Sequence, residues 1–435
     1  MKTKTSTLLN MASLVVGVVL LGFTFIVPTK TLQPDADNGG IRLTDGFGAV
    51  VVHEGVGKAR HIAVNTNGDL YVKLDRLDGG KGIVALRDTD GDGKADVKQL
   101  FGNYKGTGME IANGYLYASS DTSVYRYKIG KDLLDDNAKP ETIVTGLKLE
   151  RQHASKNLAL DNAGNLYVNF GAPSNSCQEK DRSVGGKGQE PCPILEKYAG
   201  IWQFSANRTN QKQSDGSRYA TGIRNAVAMC WNTASKQLYA LQHGRDDLHR
   251  MFPEKFSAEQ NAELPAEEFF MVKKGADFGW PYCYYDWQQE QKVLAPEYGG
   301  NGKAIDRCAS KDQPIMWFPG HWAPNDLLFY TGNQFPSRYK NGAFVCFHGS
   351  WNRAPLKQGG YFVAFVPFGK DGKPSGKWEV FAEGFAGGPE IMSPNDAKAR
   401  PMGLTQGSDG SLYITDSVKG KIWRVIYGKS KGGKV

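Results

Sequence analysis

Asn67-Gly68-Asp69-Leu70-Tyr71-Val72 is a turn followed by a strand with alternating large residues. Asn-Gly marks a tight hairpin because both central residues must reach positive φ. The alternation after it marks a strand buried on one face or both. The phrase returns as Asn113-Gly114-Tyr115-Leu116-Tyr117-Ala118 and as Ala163-Gly164-Asn165-Leu166-Tyr167-Val168. Three further copies are Ser235-Lys236-Gln237-Leu238-Tyr239-Ala240, Asn341-Gly342-Ala343-Phe344-Val345-Cys346 and Asp409-Gly410-Ser411-Leu412-Tyr413-Ile414. Most copies are followed by a second strand phrase, such as Ile83-Val84-Ala85-Leu86 or Ile422-Trp423-Arg424-Val425. The spacing of the first three copies is that of a four-stranded propeller blade. Six copies predict an all-β fold, a six-bladed β-propeller of four-stranded blades, over residues 40–428. The segment from Gly48 to His53 is expected to supply the outer strand that closes the ring. No alternation of strands with amphipathic helices is seen, which argues against a parallel α/β sheet.

The ends of the 435-residue chain read differently. Lys2 and Lys4 precede an apolar run from Met11 to Val27, the pattern of an export signal. Residues 1–35 are therefore expected to be an apolar helix that is either cleaved or kept as a membrane anchor. That places the protein in the periplasm or outside the cell, anchored to the inner membrane if the segment stays. Residues 429–435 form a basic tail. The net charge of +8 is otherwise scattered, and no zinc-finger spacing, recognition helix or aromatic RNA-binding motif is present, so nucleic acid is not an expected partner. Export permits disulfides. Cys177 and Cys192 flank one Gly-rich segment and Cys283 and Cys308 another, although four cysteines allow three pairings. Cys230 and Cys346 lie in apolar strand phrases and read as buried thiols. The excess length over a minimal propeller falls in residues 171–200 and 245–325, and long loops in compact repeat folds are usually functional or disordered.

Three groups of residues could carry chemistry. Asp88, Asp90, Asp92 and Asp96 alternate around Gly91 and Gly93 like the start of a calcium loop, without the bidentate Glu that ends one; the alternative is an acidic hairpin tip. His153 stands just before the third repeat, where connections gather at one mouth of a propeller channel, and a histidine there can act as a general base. Polar groups occupy the matching places beside other copies: Arg60, Arg224, Asn225, His243, Gly244, Arg245, Asp246, Asp247, His348, Trp351, Arg353 and Arg400. Several arginines converging on one funnel imply a polyanionic ligand, unless each pairs with a neighbouring acid.

The chain resembles the quinoprotein glucose/sorbosone dehydrogenase family, and most closely its sorbosone- and pyranose-dehydrogenase branch. The resemblance rests on the run from Asp88 to Asp96, Gly222-Ile223-Arg224-Asn225, the run from Gly275 to Cys283 and the run from Phe347 to Arg353. It implies an enzyme that oxidises an aldose or sugar aldehyde with pyrroloquinoline quinone (PQQ) and calcium, and passes electrons to an external acceptor such as a quinone or cytochrome. By that resemblance His153 is the base. Arg224, Asn225, His243, His348, Arg353 and Arg400 hold the cofactor, and Trp351 lies near the substrate. Gly244, Arg245 and Asp247 bind an active-site calcium, with Asp246 a second candidate. Asp88, Asp90, Asp92 and Asp96 bind a structural one. The sequence departs from the glucose branch at His243 and Arg245, where that branch has Gln and Pro. A calcium-dependent sugar-lactone hydrolase, or a non-catalytic propeller that binds a glycan or protein, would share the fold. The first needs acidic ligands and little cationic charge at the channel; the second predicts no quinone uptake.

Overall fold

A computed structural model describes Met1, residues 32–388 and residues 390–428. The export or anchor segment lies almost wholly outside the described residues, as does the basic tail. Among the described residues no helix is long and apolar enough to cross a membrane. Every sheet belongs to the compact unit from Leu32 onward.

Each repeated phrase supplies the turn into the second strand of a blade. At the Asn113-Gly114 turn both residues adopt positive φ, 51° and 78°, as that turn demands. The first blade runs from the axis outward as Ala59–Val64, Leu70–Asp78, Lys81–Arg87 and Val97–Phe101, all antiparallel. The second and third blades begin at the axis with Met109–Ala112 and Leu158–Leu160. The fourth, fifth and sixth begin with Ala228–Asn232, Pro324–Phe329 and Pro401–Gln406. These six inner strands contact one another in a closed ring. Phe47–His53 pairs antiparallel with Ile422–Tyr427, so one blade is built from both ends of the domain. An addition that the repeat did not announce is Arg42–Leu43, which gives the fifth blade a further edge strand against Glu379–Glu383. Asp35 already belongs to the fold, since its carboxylate accepts from the Val51 amide at 2.7 Å.

The core is divided among the seams between blades. Val52, Ile62, Val72, Leu86 and Tyr413 pack where the sixth blade meets the first, and Phe47, Phe344, Phe365, Phe381 and Trp423 where the fifth meets the sixth. Burial between blades rather than inside one explains why a single repeat cannot fold alone.

The two long segments are ordered and lie over the mouth from which the inner strands start. Residues 171–199 join the second and third strands of the third blade, and residues 242–266 do the same in the fourth. Residues 273–315 climb the outer edge of the third blade through the parallel pair Ala276–Asp277 with Ser217–Thr221, then form the hairpin Cys283–Asp286 and Gln291–Leu294. Disulfides join Cys177 to Cys192 and Cys283 to Cys308. Cys346 is buried, but Cys230 is only half-buried: it lines a cavity of about 320 Å³ on the propeller axis.

Candidate active site at one mouth of the propeller

His153 sits in the left-handed region, with φ of 50°, in the connection leading to the third blade. Its Nδ1 lies 2.5 Å from the Ala172 carbonyl oxygen. A carbonyl can only accept, so the neutral ring carries its proton on Nδ1 and keeps its lone pair on Nε2. Burial lowers the His153 pKa, and the Arg224 guanidinium lowers it further. The ring is therefore a neutral base at ordinary pH. Gly171 makes room for it: a Cβ there would come within 2.5 Å of the His153 Cβ and 2.7 Å of Asn225 Oδ1. That same oxygen accepts from Asn169 Nδ2 at 3.0 Å.

Arg224 is buried. Its Nη1 donates to the Gly244 carbonyl at 2.7 Å, and its Nη2 donates to Asn175 Oδ1 at 3.1 Å and Asp246 Oδ2 at 2.9 Å. Asp246 is the hub of this arrangement. It also pairs with Arg182 at 2.9 Å, accepts from Asn352 Nδ2 at 2.8 Å and faces His321 at 3.7 Å. Despite its burial, Arg224, His321 and Arg182 hold its carboxyl well below the usual range.

Across the mouth, His243 Nε2 lies 3.0 Å from the Pro324 carbonyl, and burial lowers its pKa to about 4. His348 Nε2 meets Ser417 Oγ at 2.7 Å; burial, then Arg400 and Arg60, push its pKa well down. Arg400 donates from Nε to the His348 carbonyl at 3.0 Å and from Nη2 to the Gly349 carbonyl at 2.6 Å. Arg60 donates from Nε to Thr107 Oγ1 at 3.1 Å. Among the described residues neither Arg60 nor Arg400 has a carboxylate within ion-pair distance. These two guanidiniums and the neutral histidines make a cationic, polar lining suited to an anionic ligand. Trp351, on the loop after the second strand of the fifth blade, is 58% exposed.

Other candidates have different partners from those read in the sequence. Arg353 is buried, with Nη1 donating to the Ala262 and Gly320 carbonyls, each at 2.8 Å, and Nη2 paired with Glu263. It braces the long insertion, its charge already matched. Arg245 turns away into a buried pair with Glu297. Asp247 has φ of 64° and gives its carboxylate to Arg182 and to Arg250, the latter at 2.7 Å. Of the oxygens expected to bind an active-site cation, the Gly244 carbonyl is thus engaged by Arg224 and the Asp247 carboxylate by two arginines. Sequence position could not separate Asp246 from Asp247; in the fold the two share Arg182, but Asp246 goes on to Arg224 and Asp247 to Arg250.

The acidic loop joins the third and fourth strands of the first blade, at the end away from the mouth. Asp88, Asp90 and Asp96 bring carboxylate oxygens within 4.8 Å of one another. Asp92 is not part of that group; its Oδ1 accepts from the Lys94 amide at 2.8 Å.

The model of TrAA12-like proteins matches residues 41–428. The chain belongs to the TrAA12-like family. That agrees with the resemblance read from the motifs. The TrAA12-like chain is 24% identical over 421 residues to an uncharacterised protein of Borreliella burgdorferi, covering 93% of this chain and 96% of that one. It is also 24% identical over 277 residues to a pyrroloquinoline quinone-dependent pyranose dehydrogenase of Coprinopsis cinerea, covering 55% of this chain and 36% of that protein. The match thus takes in about a third of that dehydrogenase's length. Among solved structures, the calcium structure of the Trichoderma reesei family AA12 enzyme superposes with a TM-score of 0.71 at 19% identity, over 92% of this chain and 99% of that one. The holo form of the Coprinopsis PQQ domain does so with a TM-score of 0.70 at 19% identity, over 89% and 97%. At that identity the likeness is one of fold.

Proposed function

We propose that this protein is a PQQ-dependent dehydrogenase that oxidises an aldose or sugar aldehyde, with His153 as general base. The observation that carries the reading is a neutral histidine beside Arg224, at a mouth where, among the described residues, Arg60 and Arg400 lack carboxylate partners. Arg60 and Arg400 would hold a tricarboxylate cofactor, whose quinone would supply the acceptor for the two electrons and the hydrogen that leave the sugar carbon. His153 Nε2 takes the proton of the reacting hydroxyl, while the Ala172 carbonyl holds the ring through Nδ1–H and stabilises the cation that forms. Arg224 and Asn225 lie within the electrostatic reach of that proton transfer and stabilise negative charge developing opposite it. Trp351 offers an exposed aromatic face to the sugar. Electrons then pass to an external acceptor.

Calcium belongs to the proposal at the acidic loop, where three carboxylates face one another and a divalent cation relieves their repulsion. At the mouth the Gly244 carbonyl and the Asp247 carboxylate are committed to arginines, and no step is derived through an ion there. Two disulfides support an oxidising compartment, periplasmic or extracellular.

The test is reconstitution of the purified protein with PQQ and Ca²⁺, followed by dye reduction with a panel of aldoses and sugar aldehydes. His153→Ala is expected to keep the quinone and lose about 10²–10⁴ in turnover. Absence of both quinone binding and dye reduction removes the dehydrogenase reading. Normal turnover by His153→Ala removes the base assignment alone.

A further inference from the structure

Beside Arg224 lies a small cavity between the fourth blade and the insertion. It has about 10 Å³ of room for the centre of a water-sized sphere, enough for one atom. Its walls include Ser176, Arg224, Arg245, Trp280 and Tyr284, all buried. Four of these carry buried polar atoms that find no partner among the described residues: Ser176 Oγ, Arg224 Nε, Arg245 Nε and Nη2, and Tyr284 Oη. Orphaned buried polar groups are rare, and each is costly if nothing satisfies it. Five around one cavity call for an occupant.

The chemistry of the lining says which kind. Three of the five atoms are guanidinium N–H groups, which only donate, and the two hydroxyls are free to donate. The carboxylate and side-chain amide oxygens on the walls already have donors. Glu268 accepts from Gln242 at 2.6 Å and pairs with Lys292; Gln242 Oε1 accepts from the Arg224 amide at 2.9 Å. Trp280 donates outward to the Asn175 carbonyl at 3.0 Å. The other orphan nearby, Glu297 Oε1, belongs to a residue outside the lining. A water has two lone pairs and can accept from at most two of the three guanidinium N–H groups, whereas a monatomic anion accepts from every donor. It also lies between two guanidiniums that repel each other.

We infer that this cavity is a halide site, holding one chloride between Arg224, Arg245, Ser176 and Tyr284. The ion ties the insertion to the back of Arg224 and so keeps the front of that guanidinium aimed at Gly244 and Asp246. The site is independent of the sugar-oxidation reading, and its test uses no substrate.

Crystals grown in bromide should show an anomalous peak within hydrogen-bond reach of the two guanidiniums. In solution, exchanging gluconate for chloride at constant ionic strength should raise the unfolding midpoint by roughly 3–5 °C once chloride is about 100-fold above its dissociation constant. Ser176→Ala and Tyr284→Phe each remove one donor without adding volume. Together they should raise the chloride concentration for half the shift about 10-fold or more. Water density without an anomalous signal overturns the inference. So does a bromide peak unaccompanied by any chloride dependence of the midpoint, which is the mark of an adventitious ion only.

Discussion

Arginines at this mouth divide into two kinds by their partners. Arg60 and Arg400 donate to neutral oxygens, whereas Arg353 is buried in a pair with Glu263. Replacing Arg60 or Arg400 by Ala should therefore weaken quinone binding about 10-fold or more, since a charge-assisted partner is lost, and leave stability nearly unchanged. Arg353→Ala should instead cost on the order of 3 kcal/mol of stability by stranding Glu263 and two carbonyls, with a smaller effect on quinone affinity. Titration of quinone fluorescence beside chemical denaturation separates the two. The histidines give a second residue-scale test. The His243 pKa is about 4 in the folded protein, below its unfolded value near 6.5. The unfolded chain then binds more protons between these values, so the stability that His243 contributes is full above pH 6.5 and is lost as pH falls toward 4. His243→Gln should flatten the curve of stability against pH in that window; an unchanged slope there would show that the ring is not held neutral.

At the scale of elements, the ring closes through one strand. Phe47–His53 arrives from the start of the domain and completes the blade that the end of the chain begins. Phe47 is the anchor, edge-on to Phe335 at 4.8 Å, Phe381 at 4.9 Å and Tyr427 at 5.0 Å. Phe47→Ala opens a cavity in that seam and should cost about 3–5 kcal/mol, read from urea denaturation. An equal loss in a control such as Val380→Ala, whose side chain is 40% exposed, would deny the seam its special role. The inner strands and the turns before second strands were legible, because period-two alternation and Asn-Gly chemistry are local. The edge strand Arg42–Leu43 was not. Two residues carry no periodicity, and the pairing is made only by a neighbour more than three hundred positions away.

At the scale of the whole molecule, the acidic loop and ring closure are one problem. The Ala95 amide donates to the Val52 carbonyl at 2.9 Å, so the loop is sewn to the closing strand. Lys94 reaches Asp35 at 3.8 Å on the same seam. If calcium neutralises Asp88, Asp90 and Asp96, chelation should lower the unfolding midpoint by several °C. Asp90→Asn should shrink that shift, whereas Asp92→Asn should leave it largely intact. The same midpoint with EDTA and with calcium would remove the ion from the loop.

Six repetitions of one turn-and-strand phrase determined the propeller, the place of each blade and the mouth at which His153, Arg224 and Arg400 gather, because repeat spacing alone sets which connections share an end of the channel. The partners of those residues were decided only by the tertiary structure. Whether an arginine faces a ligand or a buried carboxylate depends on loops folding back from distant positions: Glu297 takes Arg245, Glu263 takes Arg353, and among the described residues no acid comes within ion-pair distance of Arg60 or Arg400. Charge can be counted along a chain, but its neutralisation is a matter of distance in space.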